Sequence, residues 1–97
     1  MVMSNKNENS VTRELLIQNQ TGLHARPAAA FVKTANDYRS EIIVWKGEDS
    51  VNGKSIIALL TLAASRGTKL VVEATGEDAE MAVDAIQALV DSKFNEA

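Results

Sequence analysis

A two-layer α/β sandwich (α+β), with helices laid over one face of a single sheet, is the fold this sequence predicts. Three segments space their apolar residues at helical intervals, and β-rich runs alternate with them. The two middle runs are joined by Gly47-Glu48-Asp49, short enough for a hairpin, which makes the sheet largely antiparallel. The order along the chain reads β-α-β-β-α-β-α.

Residues 1–10, MVMSNKNENS, lack an apolar stretch and read as a polar mobile tail, leaving 11–97 as one domain. Residues 11–18 carry apolar side chains at 11, 15, 16 and 17 and run into the turn cluster Asn19-Gln20-Thr21-Gly22, as a strand would. Pro27 suits the first turn of a helix, where its missing N–H costs nothing. Ala28, Phe31, Val32 and Ala35 then fall on one helical face, predicting a helix from about Ala25 to Asn36. Glu41–Lys46 is a β-rich run, and residues 50–52 form its short partner. A second helix is expected over 55–66, capped by Ser55 and stopped by Gly67, with Leu59, Leu62 and Ala63 on its inner face. Residues 68–75 read as the last strand. Gly76-Glu77-Asp78 opens a final helix with acidic residues at its positive end, and Ala79, Ala82, Val83, Ile86, Leu89 and Val90 keep helical spacing.

Ninety-seven residues permit one domain and no second core. With 10 Lys+Arg against 13 Asp+Glu the net charge is −3, a poor basis for binding nucleic acid. Cysteine is absent and His24 is the single histidine, which excludes a disulfide scaffold, a thiolate metal site, a Cys nucleophile and a His cluster. No apolar run is long enough to insert in a membrane, and no targeting segment stands out, so the expected location is the cytoplasm and no cofactor or metal is expected.

His24 follows a Gly-containing turn at the mouth of the first helix. Helix starts expose unpaired N–H groups and bind anions, phosphate above all. A phosphoryl group on a ring nitrogen there would meet those amides, and Arg26 offers a planar fork of donors to its oxygens. From these residues alone two readings stand: a surface cap, or a phosphoryl-accepting nucleophile. Gly53-Lys54-Ser55 fails as a nucleotide-binding loop, because Glu48 stands where the first glycine belongs. The plain reading of Ser55 is a helix cap, which also tolerates an added phosphate. Ile56, Ile57 and Leu60 cannot all face the sheet if Leu59 and Leu62 do; they form an exposed apolar patch of the kind that marks a partner site, or else a broad core face or scattered surface apolars. Glu73, Glu77, Asp78 and Glu80 read as a solvated face and helix-start charge.

Gly22-Leu23-His24-Ala25-Arg26-Pro27-Ala28 resembles the active-site motif of the HPr family, the histidine-containing phosphocarriers of the bacterial phosphoenolpyruvate–sugar phosphotransferase system. Val51-Asn52-Gly53-Lys54-Ser55-Ile56 is similar to that family's regulatory serine motif, and Ser55 lies 31 residues beyond His24, as in the family. Arg66-Gly67-Thr68 and Gly76-Glu77-Asp78 also fit the pattern, so the resemblance covers about residues 11–92.

The resemblance implies a four-stranded antiparallel sheet in order 1-4-2-3 with three helices on one face; nothing in the sequence demands more than a monomer. It implies that His24 accepts a phosphoryl group from phosphorylated Enzyme I and passes it to IIA domains of sugar permeases, with Arg26 steadying it in transit. The protein is then a carrier forming a phosphohistidine, not an enzyme with its own turnover. It also implies Ser55 as a target of HPr kinase/phosphorylase, Ile56, Ile57 and Leu60 as a docking patch, and a transcriptional regulator as a further partner. The alternative is a carrier or a Ser55-phosphorylated effector in a nitrogen-related or catabolite branch. Two departures stand out: a longer tail before Val11, and Ala63-Ala64 where several members carry glycine.

Overall fold

Alternating burial along the strands builds the sheet. The computed structural model describes residues 10–96, so the tail assigned to residues 1–10 falls outside it except for Ser10, which pairs with Thr75 as the first residue of a strand. The elements are β1 (Ser10–Leu16), α1 (Ala25–Asn36), β2 (Glu41–Lys46), β3 (Asp49–Asn52), α2 (Ile56–Thr61), β4 (Lys69–Thr75) and α3 (Ala79–Asp91), followed by a short 3₁₀ turn at Lys93–Asn95. All pairings are antiparallel, in the order β1-β4-β2-β3, and the three helices cover one face. This is the expected open-faced sandwich.

Register decides which side chains meet the helices. Leu15 stands opposite Leu70, Val44 opposite Val72, and Ile42 opposite Ala74, all buried. Ala28, Phe31, Val32 and Ala35 of α1 and Ala82, Val83, Ile86 and Val90 of α3 pack on them, the faces the periodicity predicts. Arg13 lies on the same face near the edge, where its guanidinium reaches Asp84 and Gln87 of α3, each at 3.1 Å. On the open face Trp45 Nε1 donates to Glu73 at 3.3 Å. Among the described residues no helix is long and apolar enough to cross a membrane.

The second helix departs from expectation. α2 ends at Thr61 rather than running to Arg66, and Ala63 takes a left-handed φ of 52°. The cause is tertiary. The Leu62 carbonyl accepts from Lys46 Nζ at 2.9 Å, and the Ala64 carbonyl accepts from the Leu23 amide at 2.8 Å. Both bonds hold the segment after α2 in its non-helical path. Ala64 is therefore the buried alanine, and Ala63, placed on the inner face by the periodicity, is exposed. Gly67 does not stop the helix; it turns the chain into β4, its amide bonded to the Ile17 carbonyl at 2.7 Å.

Ala63 in this conformation carries strain that glycine avoids. Its methyl group is exposed and packs on nothing in the core. Ala63→Gly is expected to stabilise the fold by about 0.5–1 kcal/mol, the left-handed penalty less the extra chain entropy of glycine. A shift of the urea midpoint to higher concentration, with unchanged slope, checks it.

Asp78 is not a plain solvated charge. Its carboxylate accepts from the Ser40 hydroxyl, the Arg39 amide at 2.8 Å and the Ser40 amide at 3.0 Å, tying the start of α3 to the turn after α1. These bonds, the hydroxyl first and then the Arg39 amide, hold its pKa below the ordinary aspartate value. A lowered carboxyl pKa stabilises the fold above the unfolded-state value and loses that contribution as pH falls toward the folded-state value. Asp78→Asn is expected to lower the melting temperature at pH 7, with the gap to wild type closing below about pH 4. Melting curves from pH 7 to pH 3 check it.

Candidate functional site

The turn after β1 is built before the helix that follows it. Asn19, buried, donates through Nδ2 to the Gly22 carbonyl at 2.7 Å, and the Gly22 amide returns a bond to the Asn19 carbonyl at 3.2 Å. Gly22 has a left-handed φ of 71°, which lets the chain reverse tightly. Leu23 is buried and its amide is held by Ala64, so the turn is clamped to the segment after α2.

His24 comes next, as the N-cap of α1. Its backbone is extended, its carbonyl accepts from the Ala28 amide at 2.8 Å, and its side chain makes no capping bond. The ring is left exposed at the open end of the helix. The amides of Ala25 and Arg26 take part in no backbone bond among the described residues, and Pro27 has none to offer. His24, Ala25, Arg26 and Pro27 line a shallow recess with Thr21 and Glu96. Arg26 is exposed and makes no ion pair among the described residues. An imidazole, two free amides and a guanidinium thus share one anion-receptive corner, with an acidic side chain at its rim. The recess is open to solvent rather than enclosed. No group of His, Asp and Glu among the described residues is arranged to hold a metal.

Ser55 caps α2, its hydroxyl accepting from the Ala58 amide at 3.1 Å. Ile56, Ile57 and Leu60 are 40%, 77% and 39% exposed, so they do not form a broad core face. The patch lies between Ser55, at the start of α2, and the Ala64 segment that clamps the His24 turn. Site and patch are therefore joined through the end of α2. Glu96 was not expected at the site. It lies 72 residues beyond His24, and no local pattern announces it.

Residues 11–92 match a family model described as "PTS HPr component phosphorylation site". The chain is 45% identical over 82 residues to phosphocarrier protein HPr of Borreliella burgdorferi, covering 84% of this chain and 95% of that one. It is 40% identical over 85 residues to phosphocarrier protein NPr of Shewanella violacea, covering 88% and 93%. Its fold is similar to the crystal structure of HPr-C-His from Thermoanaerobacter tengcongensis, with a TM-score of 0.82 and 46% identity over 91% of this chain and 97% of that one.

Proposed function

This chain belongs to the HPr family of phosphocarrier proteins of the phosphotransferase system, and from that premise we propose that it takes a phosphoryl group from phosphorylated Enzyme I onto His24 and passes it to IIA domains of sugar permeases. The observation that carries the reading is the exposed His24 ring, free of capping bonds, in one recess with Arg26 and beside the unpaired amides of Ala25 and Arg26.

A ring nitrogen of His24 attacks the phosphorus of phospho-Enzyme I. The new P–N bond forms as the donor's phosphoryl bond breaks, and its electron pair returns to the donor. The reverse sequence delivers the phosphoryl group to the acceptor. Such transfers depend on positioning and on charge stabilisation. The helix-start amides receive the phosphoryl oxygens and Arg26 offsets their charge. Residues 11–97 act as one carrier domain, a monomer in the cytoplasm, which cycles between two forms. Ile56, Ile57 and Leu60 give the partners an apolar surface linked to the His24 turn through the end of α2.

The direct test is incubation with Enzyme I and phosphoenolpyruvate. Acid-labile, base-stable phosphate on the protein is the expected result; no incorporation overturns the proposal.

Ser55 is the regulatory site in this reading. A dianionic phosphate there stands beside Ile56 and Ile57, where it disturbs apolar docking and repels an acidic partner. Aspartate caps a helix as well as serine does, so Ser55→Asp adds charge without loss of the cap. The initial rate of transfer from Enzyme I to Ser55→Asp is expected to fall about tenfold, equivalent to about 1.4 kcal/mol. Rates equal to wild type, measured by rapid quench, would remove Ser55 from this role.

A further inference from the structure

After α3 the chain doubles back and ends its described course beside His24. Lys93, Phe94 and Asn95 take left-handed φ values of 59°, 56° and 59° in succession, a conformation that non-glycine residues adopt only under constraint. Phe94 is buried in the core, and the Ser92 hydroxyl accepts from the Asn95 amide at 3.2 Å. The hook delivers Glu96 to the His24 turn. Its Oε2 accepts from Asn19 Nδ2 at 3.4 Å and from Thr21 Oγ1 at 3.5 Å. Among the described residues it is the one carboxylate lining the recess that contains His24 and Arg26. On its far side Arg66 and Lys93 line an adjoining recess, but Glu96 makes no ion pair among the described residues.

We propose that Glu96 is a positioning residue that sets how readily His24 gives up its phosphoryl group. In the unphosphorylated protein its charge lies against the donors of the Asn19–Thr21 turn, in one recess with Arg26. When the P–N bond forms on His24, a dianionic group enters the same recess. The carboxylate and the phosphoryl oxygens then repel one another. The phosphorylated form is raised relative to the free form, and the phosphoryl group passes on more easily. Arg26, Arg66 and Lys93 offset part of the repulsion, and solvent screens it further. The inference rests on the carrier reading of His24.

The test is the equilibrium between free and phosphorylated protein at a fixed ratio of phosphoenolpyruvate to pyruvate with catalytic Enzyme I. Glu96→Gln keeps the shape and an acceptor oxygen for Asn19 and Thr21 while removing the charge. It is expected to raise the phosphorylated-to-free ratio about three- to tenfold, more at low salt. Glu96→Asp is expected to restore the wild-type ratio. A merely structural role would move the melting temperature and leave that ratio alone. Equal ratios in wild type and Glu96→Gln overturn this inference by itself; a wild-type protein that takes no phosphate overturns the carrier reading and the inference with it.

Discussion

His24→Ala is expected to reduce acid-labile phosphate incorporation to background, at least about a thousandfold below wild type, because the transferring atom itself is gone. No other side chain can replace it, since the chain holds no second histidine and no cysteine. The fold should survive. The ring is exposed and makes no capping bond, and the contact that does matter, the His24 carbonyl accepting from Ala28, belongs to the backbone. The melting temperature is therefore expected to stay within about 3 °C of wild type, the shift that a surface change of up to about 0.5 kcal/mol produces in a domain of this size. This pairing of total loss with an intact fold separates the carrier from a binding module that acts only through Ser55. Such a module would keep its function in cells carrying His24→Ala. Phosphate linkage is read by lability: phosphohistidine is lost in acid, phosphoserine in base. Acid-labile label on the alanine variant would place the phosphoryl group elsewhere.

The parts of this structure that were legible in the sequence are those decided by local rules. The faces of α1 and α3 follow from 3.6-residue periodicity, the β2–β3 hairpin from its Gly47 turn, and the Ser55 cap from its position before an apolar run. The end of α2 was not legible. Residues 55–66 contain nothing that forbids a helix, and the carbonyls of Leu62 and Ala64 are claimed by Lys46 and Leu23, both distant in sequence. The role of Asp78 was hidden for the same reason, its partners lying 38 and 39 residues away. At the candidate site, His24 and Arg26 were visible as a short motif. Glu96 was not, because it arrives through three left-handed residues, none of them the glycine that would announce such a turn.

The turn that carries His24 has its own point of failure at Gly22. A Cβ built there would lie 2.5 Å from the Ala64 carbonyl oxygen and 2.8 Å from the Ser65 Cα. Both are backbone atoms, so no side-chain rotation relieves the clash, and the left-handed φ of 71° adds its own strain. Gly22→Ala is expected to cost about 2–4 kcal/mol, a large share of the 5–15 kcal/mol typical of a domain, and to lower the melting temperature by about 10–20 °C. To escape the clash the turn must move off Ala64. The Leu23–Ala64 bond lengthens and the His24 ring shifts from the free amides proposed to receive the phosphoryl group. Transfer measured at a temperature where the variant is still folded should therefore fall about tenfold or more. Gly47 supplies the control. Its φ is 60°, but a Cβ at that position would meet nothing within 4 Å, so Gly47→Ala carries the backbone strain without the clash. That variant is expected to lose only about 1 kcal/mol and to transfer phosphate at the wild-type rate. If urea unfolding finds the two alanine variants equally stable, the Ala64 contact is not what holds the turn. A larger loss at Gly22, together with slowed transfer, shows that the segment ending α2 sets the position of His24.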